Sequence, residues 1–194
     1  PLTFLAQFNC AELAQFDKEH LLPDHGLLSF FYETDTQCWG YAPKDQGCAR
    51  VYWFEDLSAL SAADFPADMG EDFKFPMVKI KLDAKTSYPS WQDFSEMFPD
   101  EKDDDAFNDA LDELTGEDPE NPDDRSQLLG WPDIIQNNMT LECELVSRGH
   151  YLGGSWESVP QEERDALRTP SVQDWRLLFQ LDTVASGDFE LMFG

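Results

Sequence analysis

Two segments near opposite ends of the chain share one pattern: three apolar residues, then Gln, another apolar residue, and Asn or Asp. The first runs from Phe4 to Asn9 and the second from Leu177 to Asp182. Both have the length and apolar content of a largely buried strand. Because a repeated segment indicates a repeated folding unit, we predict an α+β fold with an internal duplication. Each of the two related subdomains would combine a mostly antiparallel sheet with short helices.

Turn residues and hydrophobic spacing divide the remainder into short elements. Ser90 is a predicted N-cap with Asp93 at the capping-box position, and Gly116 is predicted to end an acidic helix. The predicted strands cover residues 2–8, 27–32, 50–54, 75–82, 141–145, 175–183 and 189–193, and the predicted helices cover residues 11–16, 90–98, 103–114 and 158–168.

Residues 100–125 differ from the rest of the chain because they are rich in Asp, Glu and Pro. Such a segment is typical of an excursion between two packed units. We therefore expect a first α+β unit over residues 1–99, an acidic helix and loop over residues 100–125, and a second related unit over residues 126–194. Together they would form one compact domain.

The balance of charges limits the classes of partner. The chain has 13 Lys and Arg against 40 Asp and Glu, a formal net charge of −27. Nucleic-acid affinity depends on cationic side chains that neutralise phosphates, so DNA, RNA and anionic membranes are not expected partners. A strongly negative surface attracts basic proteins, and it also keeps a protein in solution. The composition leaves both interpretations open.

The compartment is inferred from targeting signals and cysteine usage. No apolar run approaches the roughly 20 residues of a membrane-spanning helix, and the first residues do not form a signal peptide. The four cysteines, Cys10, Cys38, Cys48 and Cys143, contain no Cys-x-x-Cys pair, so a zinc knuckle is not expected. We expect a cytoplasmic protein with reduced cysteines, although an even number of cysteines also permits two disulfides.

The acidic helix is the first candidate site. Phe107, Leu111 and Leu114 recur at i, i+4 and i+7 on a helix that is otherwise acidic. Apolar anchors among carboxylates can dock a basic partner, with the charges accelerating association. The alternative is a solvated helix that merely keeps the protein soluble. The candidate interaction surface consists of Asp103, Asp104, Asp105, Phe107, Asp109, Leu111, Asp112 and Glu113.

Four segments, taken in order, extend over essentially the whole chain: Phe4–Asn9, Leu22–Phe31, Leu129–Gln136 and Trp175–Asp182. Together they resemble the signature segments of the YwqG-like family, a bacterial family of unknown function. The resemblance implies an α+β fold with two related subdomains. It also implies an immunity or interaction role, because members are discussed in connection with polymorphic-toxin and immunity loci. It transfers no catalytic residue.

Members of that family usually have a Gly-Gly-x-Pro segment before the position of Leu2. They also have a further strand, rich in Gly, Tyr and Phe, after the position of Phe193. This sequence has neither feature. We therefore expect it to be a fragment or a trimmed form of a longer protein.

The two similar strands carry a second candidate site. Gln7 and Gln180 occupy equivalent positions, and each is flanked by large apolar residues. A buried amide can tie its strand to a neighbouring loop by two or more hydrogen bonds; the alternative is contact with a polar ligand in a groove between the units. Gly130–Asp133 are likewise predicted to form a tight turn in which Trp131 can cover an edge; the alternative is that Trp131 stacks on a ligand. The candidate groove residues are Gln7, Trp131, Asp133, Gln136, Gln180 and Asp182.

Patterns that carry catalysis are weak in this sequence. His20, His25 and His150 lack the i, i+4 spacing of a helical zinc site. Asp24 beside His25 suggests a base for a cysteine nucleophile, but exposed histidines in turns are common. We predict no catalytic residue, no cofactor and no metal site. The expected function is a non-enzymatic, immunity-like binding protein for a basic protein partner; the alternative is a small-ligand-binding protein or hydrolase with its site in the groove.

Overall fold

The computed structural model describes residues 1–116, 125–134, 136–153 and 156–192. The chain has two compact units, Pro1–Ala84 and Lys85–Gly194. Helices and antiparallel strands occur in both units, so the predicted α+β class is confirmed, whereas the duplication and the three-part boundaries stay predictions. The helices and strands are, in chain order, β1 (Thr3–Asn9), α1 (Cys10–Leu13), β2 (Leu27–Tyr32), β3 (Ala49–Phe54), α2 (Trp91–Met97), α3 (Asp104–Thr115), β4 (Gln127–Leu128), α4 (Thr140–Ser147), α5 (Gln161–Asp174), β5 (Phe179–Gln180), β6 (Val184–Ser186) and β7 (Phe189–Leu191).

The first unit is organised around an antiparallel sheet in the order β1-β2-β3. The central strand β2 is its most buried part, with Leu28, Ser29 and Phe30 almost inaccessible to solvent. The pairing of β1 with β2 shifts register between Phe4 and Ala6, as expected for a β-bulge. Strand β3 forms one edge of the sheet, and its side chains are mostly exposed.

Strand β1 leads directly into α1 because Asn9 both ends the strand and caps the helix. Its side-chain oxygen accepts a hydrogen bond from the Ala11 backbone N–H at 3.1 Å, which satisfies one of the unpaired donors at the helix start. The helix then adds its own apolar side chains to the core. The buried apolar residues of the first unit are Phe8, Cys10, Leu13, Leu28, Phe30 and Met69.

The strand predicted over residues 75–82 is wrong, because the structure has no regular secondary structure there. Val78, Ile80 and Leu82 alternate with polar residues as a strand would. A strand, however, needs a neighbour that accepts its backbone hydrogen bonds, and this segment joins no sheet. Ile80 is 59% exposed, so the alternation is not accompanied by burial.

The second unit is built mainly from helices. Helix α5 packs against both α4 and α2. Two small antiparallel sheets complete the unit, one of β4 with β5 and one of β6 with β7. Among the residues described, no helix combines the length and the apolar character needed to cross a membrane. The buried apolar residues of this unit are Leu141, Leu145, Leu152, Val159 and Val172.

The strand predicted over residues 141–145 is also wrong, because these residues belong to α4. Leu141 and Leu145 are four residues apart, a spacing that places both on one face of a strand and also on one face of a helix. Packing against α5 buries both leucines and decides for the helix. Glu144 and Arg148 add an i, i+4 ion pair of 2.6 Å.

The predicted helix ends around the acidic region are confirmed. Ser90 Oγ accepts a hydrogen bond from the Asp93 backbone N–H at 3.1 Å, at the start of α2. Gly116 ends α3 with φ = 61°, a left-handed conformation that glycine adopts without strain. Helix α5 continues past its predicted end at residue 168, and the two strands predicted after it shrink to the short β5 and β7.

Candidate functional site

Helix α3 is the predicted acidic helix, and it is fixed to its own unit by one aromatic ring. The Phe107 ring lies against Trp91 and Phe94 of α2, with centroids 5.5 and 4.8 Å apart. Asp103 caps the helix by accepting a hydrogen bond from the Ala106 backbone N–H at 3.0 Å. Phe107 therefore anchors α3 to α2 and is not a free apolar anchor for a partner.

Carboxylates cover the rest of α3. Asp105, Asp109 and Asp112 recur at i, i+4 and i+7, on the face opposite Phe107. They are exposed, as are the other acidic side chains of the helix, and within the described part of the chain no cationic side chain pairs with any of them. Leu111 is half-buried and Leu114 is 65% exposed. Helix α3 thus presents an unneutralised acidic face, with one exposed leucine near its C-terminal end.

Three of the predicted groove residues lie together around β4 and β5. Gln180 on β5 is paired with Gln127 on β4. The other two residues are Asp133 and Asp182, and Arg125 links them. Its Nε forms an ion pair with Asp133 Oδ2 at 2.8 Å, and its backbone N–H donates to Asp182 Oδ2 at 3.2 Å. The sheet and this arginine hold the cluster in one place.

The Gln180 side chain makes the pair of hydrogen bonds expected of a structural amide. Its Oε1 accepts from the Asp133 backbone N–H at 3.0 Å, and its Nε2 donates to the Asp133 backbone oxygen at 2.9 Å. Both ends of the amide are engaged by the loop that follows β4. The contacts therefore favour a structural role for Gln180 over contact with a ligand.

Trp131 joins this cluster through its backbone. Its N–H donates to Ser87 Oγ at 2.8 Å, and its carbonyl oxygen accepts from Gln127 Nε2 at 2.6 Å. The preceding Gly130 has φ = 74°, and the chain bends at residues 129–131. The indole of Trp131 is half-buried.

Gln7 and Gln136 differ from Gln180. Gln7 is exposed on β1, and its amide has no hydrogen-bond partner among the described residues. It borders a shallow depression of about 280 Å³, also lined by Ile80 and Leu82. Gln136 is exposed, and its carbonyl oxygen accepts from Gln92 Nε2 at 3.4 Å. The expected structural amide is therefore seen at Gln180 and not at Gln7.

A buried polar network that the sequence did not single out lies beside α2. Asp93 is 0% exposed, and it accepts hydrogen bonds from Ser90 Oγ at 2.7 Å and from Asn138 Nδ2 at 3.0 Å. Asn138 Nδ2 also donates to Glu96 Oε2 at 3.0 Å, and Arg168 pairs with Glu96 Oε1 at 3.0 Å. The network joins α2 to α5 and to the segment before α4, so its role is structural.

A second group missed by the sequence analysis lies between β2 and β3, in the first unit. Cys38 Sγ, a carboxylate oxygen of Asp45 and Cys48 Sγ are all within 4.8 Å of one another, and the three residues are half-buried. All four cysteines of the chain are free thiols. The sequence spacing did not indicate that Cys38 and Cys48 approach each other in this way.

The surroundings of Cys38 raise its pKa to about 11. Burial is the largest cause, followed by the hydrogen bond with the Cys48 thiol and by the negative potential of Cys48, Asp45 and Glu33. The thiolate, rather than the thiol, is the nucleophilic form of cysteine. The metal-free Cys38 thiol is therefore poorly suited to nucleophilic catalysis.

The Asp24–His25 pair lies at the surface. His25 Nδ1 is 2.6 Å from Asp24 Oδ1, and His25 Nε2 is 3.5 Å from Glu55 Oε1. The hydrogen bond with Asp24, and then that with Glu55, raises the pKa of His25; the pKa of Asp24 is lowered by the same contact. More than half of each side chain is exposed. The group is therefore a solvent-exposed cluster of one histidine between two carboxylates.

The sequence did contain one signal for the cysteine cluster. Cys38 and Cys48 are ten positions apart, a spacing outside the compact zinc motifs. Gly40, Pro43 and Gly47 lie between them, and such residues fold a long hairpin loop back on itself. A search for cysteines at the two ends of a turn-rich loop would have found the pair.

Comparison with known proteins finds one family model, described as a domain of unknown function (DUF1963), that matches residues 1–194. No curated protein and no solved structure matches the chain.

Proposed function

We propose that this chain, which belongs to the DUF1963 family, is a non-enzymatic binding protein that engages a basic protein through helix α3. The observation that carries the proposal is the exposed acidic face of α3, Asp105, Asp109 and Asp112, which no cation neutralises within the described residues. Helix α3 is held on α2 by Phe107, so this face is presented by a fixed element.

Two acids of α3 lie where their negative charge costs the helix stability. Acidic side chains near the start of a helix are favourable, but in the last turn they face the negative end of the helix dipole. Asp112 and Glu113 lie near the C-terminal end of α3, and the last turn contains no basic residue. Their charges do not serve the stability of α3, which supports a role in binding.

The expected partner is a basic protein, for which charge mainly accelerates association. Exposed charges attract a partner over a distance of about 10 Å at 0.1 M salt but only about 3 Å at 1 M salt. The exposed Leu114 lies on the same side of α3 as Phe107, opposite the carboxylates of Asp105, Asp109 and Asp112, so the acidic face itself consists of charged side chains. We propose that this binding takes place in the cytoplasm. Immunity proteins against basic nuclease toxins use the same electrostatic attraction, so such a toxin is the kind of partner we expect.

The test compares two variants that change the net charge equally. One replaces Asp105, Asp109 and Asp112 by Asn, and the matched control replaces the exposed Asp64, Asp68 and Asp72 of the first unit by Asn. Tagged wild type and both variants are used to capture proteins from the native lysate at low and high salt, and the captured proteins are identified by mass spectrometry. A captured basic protein is then purified, and its affinity for each form is measured by calorimetry.

We expect the α3 variant to bind about tenfold more weakly at low salt, since each exposed charge pair contributes about 0.2–1 kcal/mol. The control should bind like the wild type, and high salt should weaken every form. Equal binding by the two variants would contradict the role of α3, because the loss would then follow net charge rather than position. Capture of no basic protein at either salt would contradict the proposal altogether.

A further inference from the structure

Three potential metal ligands converge in the loop that joins β2 to β3. Cys38 and Cys48 each offer a sulfur and Asp45 offers a carboxylate oxygen, and the three atoms lie within 4.8 Å of one another. This was the one such group found among the described residues. All three residues belong to one continuous segment of the first unit, so their approach needs no other part of the chain.

The loop backbone holds these residues by local hydrogen bonds. The Glu33 N–H donates to the Cys48 carbonyl oxygen at 2.8 Å, which extends the β2–β3 pairing by one bond. The Cys48 N–H donates to the Asp45 carbonyl oxygen at 2.9 Å. On the far side, the Tyr32 hydroxyl donates to the Cys38 carbonyl oxygen at 2.9 Å. Each of the three ligand residues is thus tied into the hairpin through its main chain.

We propose that Cys38, Asp45 and Cys48 form a binding site for a thiophilic divalent cation, of which Zn²⁺ is the expected one. Cysteine sulfur and carboxylate oxygen are both common zinc ligands, and sulfur ligands select against Mg²⁺ and Ca²⁺. The Asp45 Oδ2 atom accepts a hydrogen bond from the Ala42 N–H at 3.3 Å, which orients the carboxylate.

Three protein ligands leave one position of a tetrahedral zinc ion for water or another small ligand. The two sulfur ligands bind as thiolates, so each thiol releases its proton to the solvent when its metal–sulfur bond forms. The metal would also close the long loop between β2 and β3, because it joins the middle of the loop at Cys38 to its end at Cys48. Binding to the folded state alone should therefore raise the midpoint of thermal unfolding as the zinc concentration increases.

The experiment uses the full chain, reduced and stripped of metal with a chelator. Zn²⁺ is titrated in competition with a chromophoric chelator, and Co²⁺ is bound in a parallel sample because its absorption reports both tetrahedral geometry and thiolate ligation. The variants are Cys38→Ser, Cys48→Ser and Asp45→Asn. Cys143→Ser is the matched control, since Cys143 is a half-buried free thiol in the other unit.

We expect one Zn²⁺ per chain. Each serine variant should lose at least roughly 10–100-fold in affinity, since loss of a group that only supports a ligand already costs that much. The Asp45→Asn variant should also bind more weakly, and Cys143→Ser should bind like the wild type. The Co²⁺ form should show strong thiolate-to-metal absorption, which each serine substitution should reduce. This spectrum of the wild-type chain tests the site even if a serine variant does not fold.

Three results would overturn the proposal. One is Zn²⁺ binding that all variants share, which would assign the metal to the acidic surface. Another is a Co²⁺ spectrum without thiolate absorption. The last is a reduced chain that binds no metal while Cys38 and Cys48 join in a disulfide on exposure to air. None of these results measures the affinity of α3 for a basic protein, so the binding proposal is tested independently of the metal site.

Discussion

Replacing Gln180 by Met should destabilise the chain, whereas the same change at Gln7 should not. The two glutamines occupy equivalent positions in the repeated sequence pattern. Gln180 bonds to a loop, through both the N–H and the carbonyl oxygen of Asp133, whereas the Gln7 side chain has no hydrogen-bond partner among the described residues. Methionine has a similar length and no branch, so it removes these hydrogen bonds with little change of shape. The comparison therefore isolates the effect of the amide.

The expected cost follows from the two backbone groups of Asp133 that lose a partner. An unsatisfied buried polar group costs about 1–3 kcal/mol. Gln180 and Asp133 are half-buried, so the lower value applies to each group, and the sum is about 2 kcal/mol. For a chain of this length that corresponds to a fall in Tm of about 4–8 °C. Gln7 is exposed and unpaired among the described residues, and its replacement should change stability by less than about 0.5 kcal/mol.

The assay is urea unfolding of both variants and the wild type, followed by far-UV circular dichroism and tryptophan emission. If the slope of the free energy of unfolding against urea concentration is the same for all three proteins, the variants differ in stability and not in the compactness of the unfolded state. Equal losses of stability for Gln7→Met and Gln180→Met would contradict the prediction, because the two positions would then be equivalent in energy as well as in sequence. A loss below about 0.5 kcal/mol at Gln180 would show that the Asp133 loop does not depend on the amide.

Three further predictions concern other parts of the chain. Asp112→Asn should stabilise α3 by about 0.3–1 kcal/mol, because it removes a negative charge from the negative end of the helix dipole; urea unfolding would measure this, and a loss of stability would contradict it. Asn138→Ala should cost about 2–3 kcal/mol in the same assay, since it removes a donor from the fully buried carboxylate of Asp93; a cost under about 0.5 kcal/mol would mean that water replaces the amide. His25 should titrate above 6.5 by NMR and return toward that value in Asp24→Asn. Because the pKa of His25 is higher in the folded chain than in the unfolded chain, its ion pairs should contribute fully to stability below the unfolded pKa. That contribution should be lost as the pH rises through the folded pKa. An unchanged His25 titration in Asp24→Asn would argue against the pairing of His25 with Asp24.

Much of the local structure was predictable because its signals lie within a few neighbouring residues. Ser90 as a cap, Gly116 as a helix end and the strand over residues 27–32 were all predicted and are all present. Caps and turns depend on hydrogen bonds and backbone angles of adjacent residues, so the sequence carries them directly.

The two wrong strands show where local pattern is insufficient. Residues 75–82 alternate as a strand should, but they have no neighbouring strand to pair with. Leu141 and Leu145 fit the period of a strand and that of a helix equally well, and packing against α5 decides between them. In both segments the decisive interaction lies with a distant part of the chain.

The candidate sites also combine features that neighbouring residues determine with features that distant parts of the chain determine. The acidic helix was predictable from composition and spacing, because charge is a property of the residues themselves. Whether Phe107 is free or engaged was not predictable, since its position depends on Trp91 and Phe94 of another helix.

The α+β class, the negative charge, the predicted helix ends of α2 and α3 and the acidic face of α3 could be inferred from the residues alone. The different roles of Gln180 and Gln7, and the approach of Cys38, Asp45 and Cys48, are visible only in the folded chain. The two groups differ in the range of the interactions on which they depend. Propensity, capping and charge act between residues that are adjacent or a few positions apart, whereas a donor set or a buried amide depends on where a loop returns to the fold.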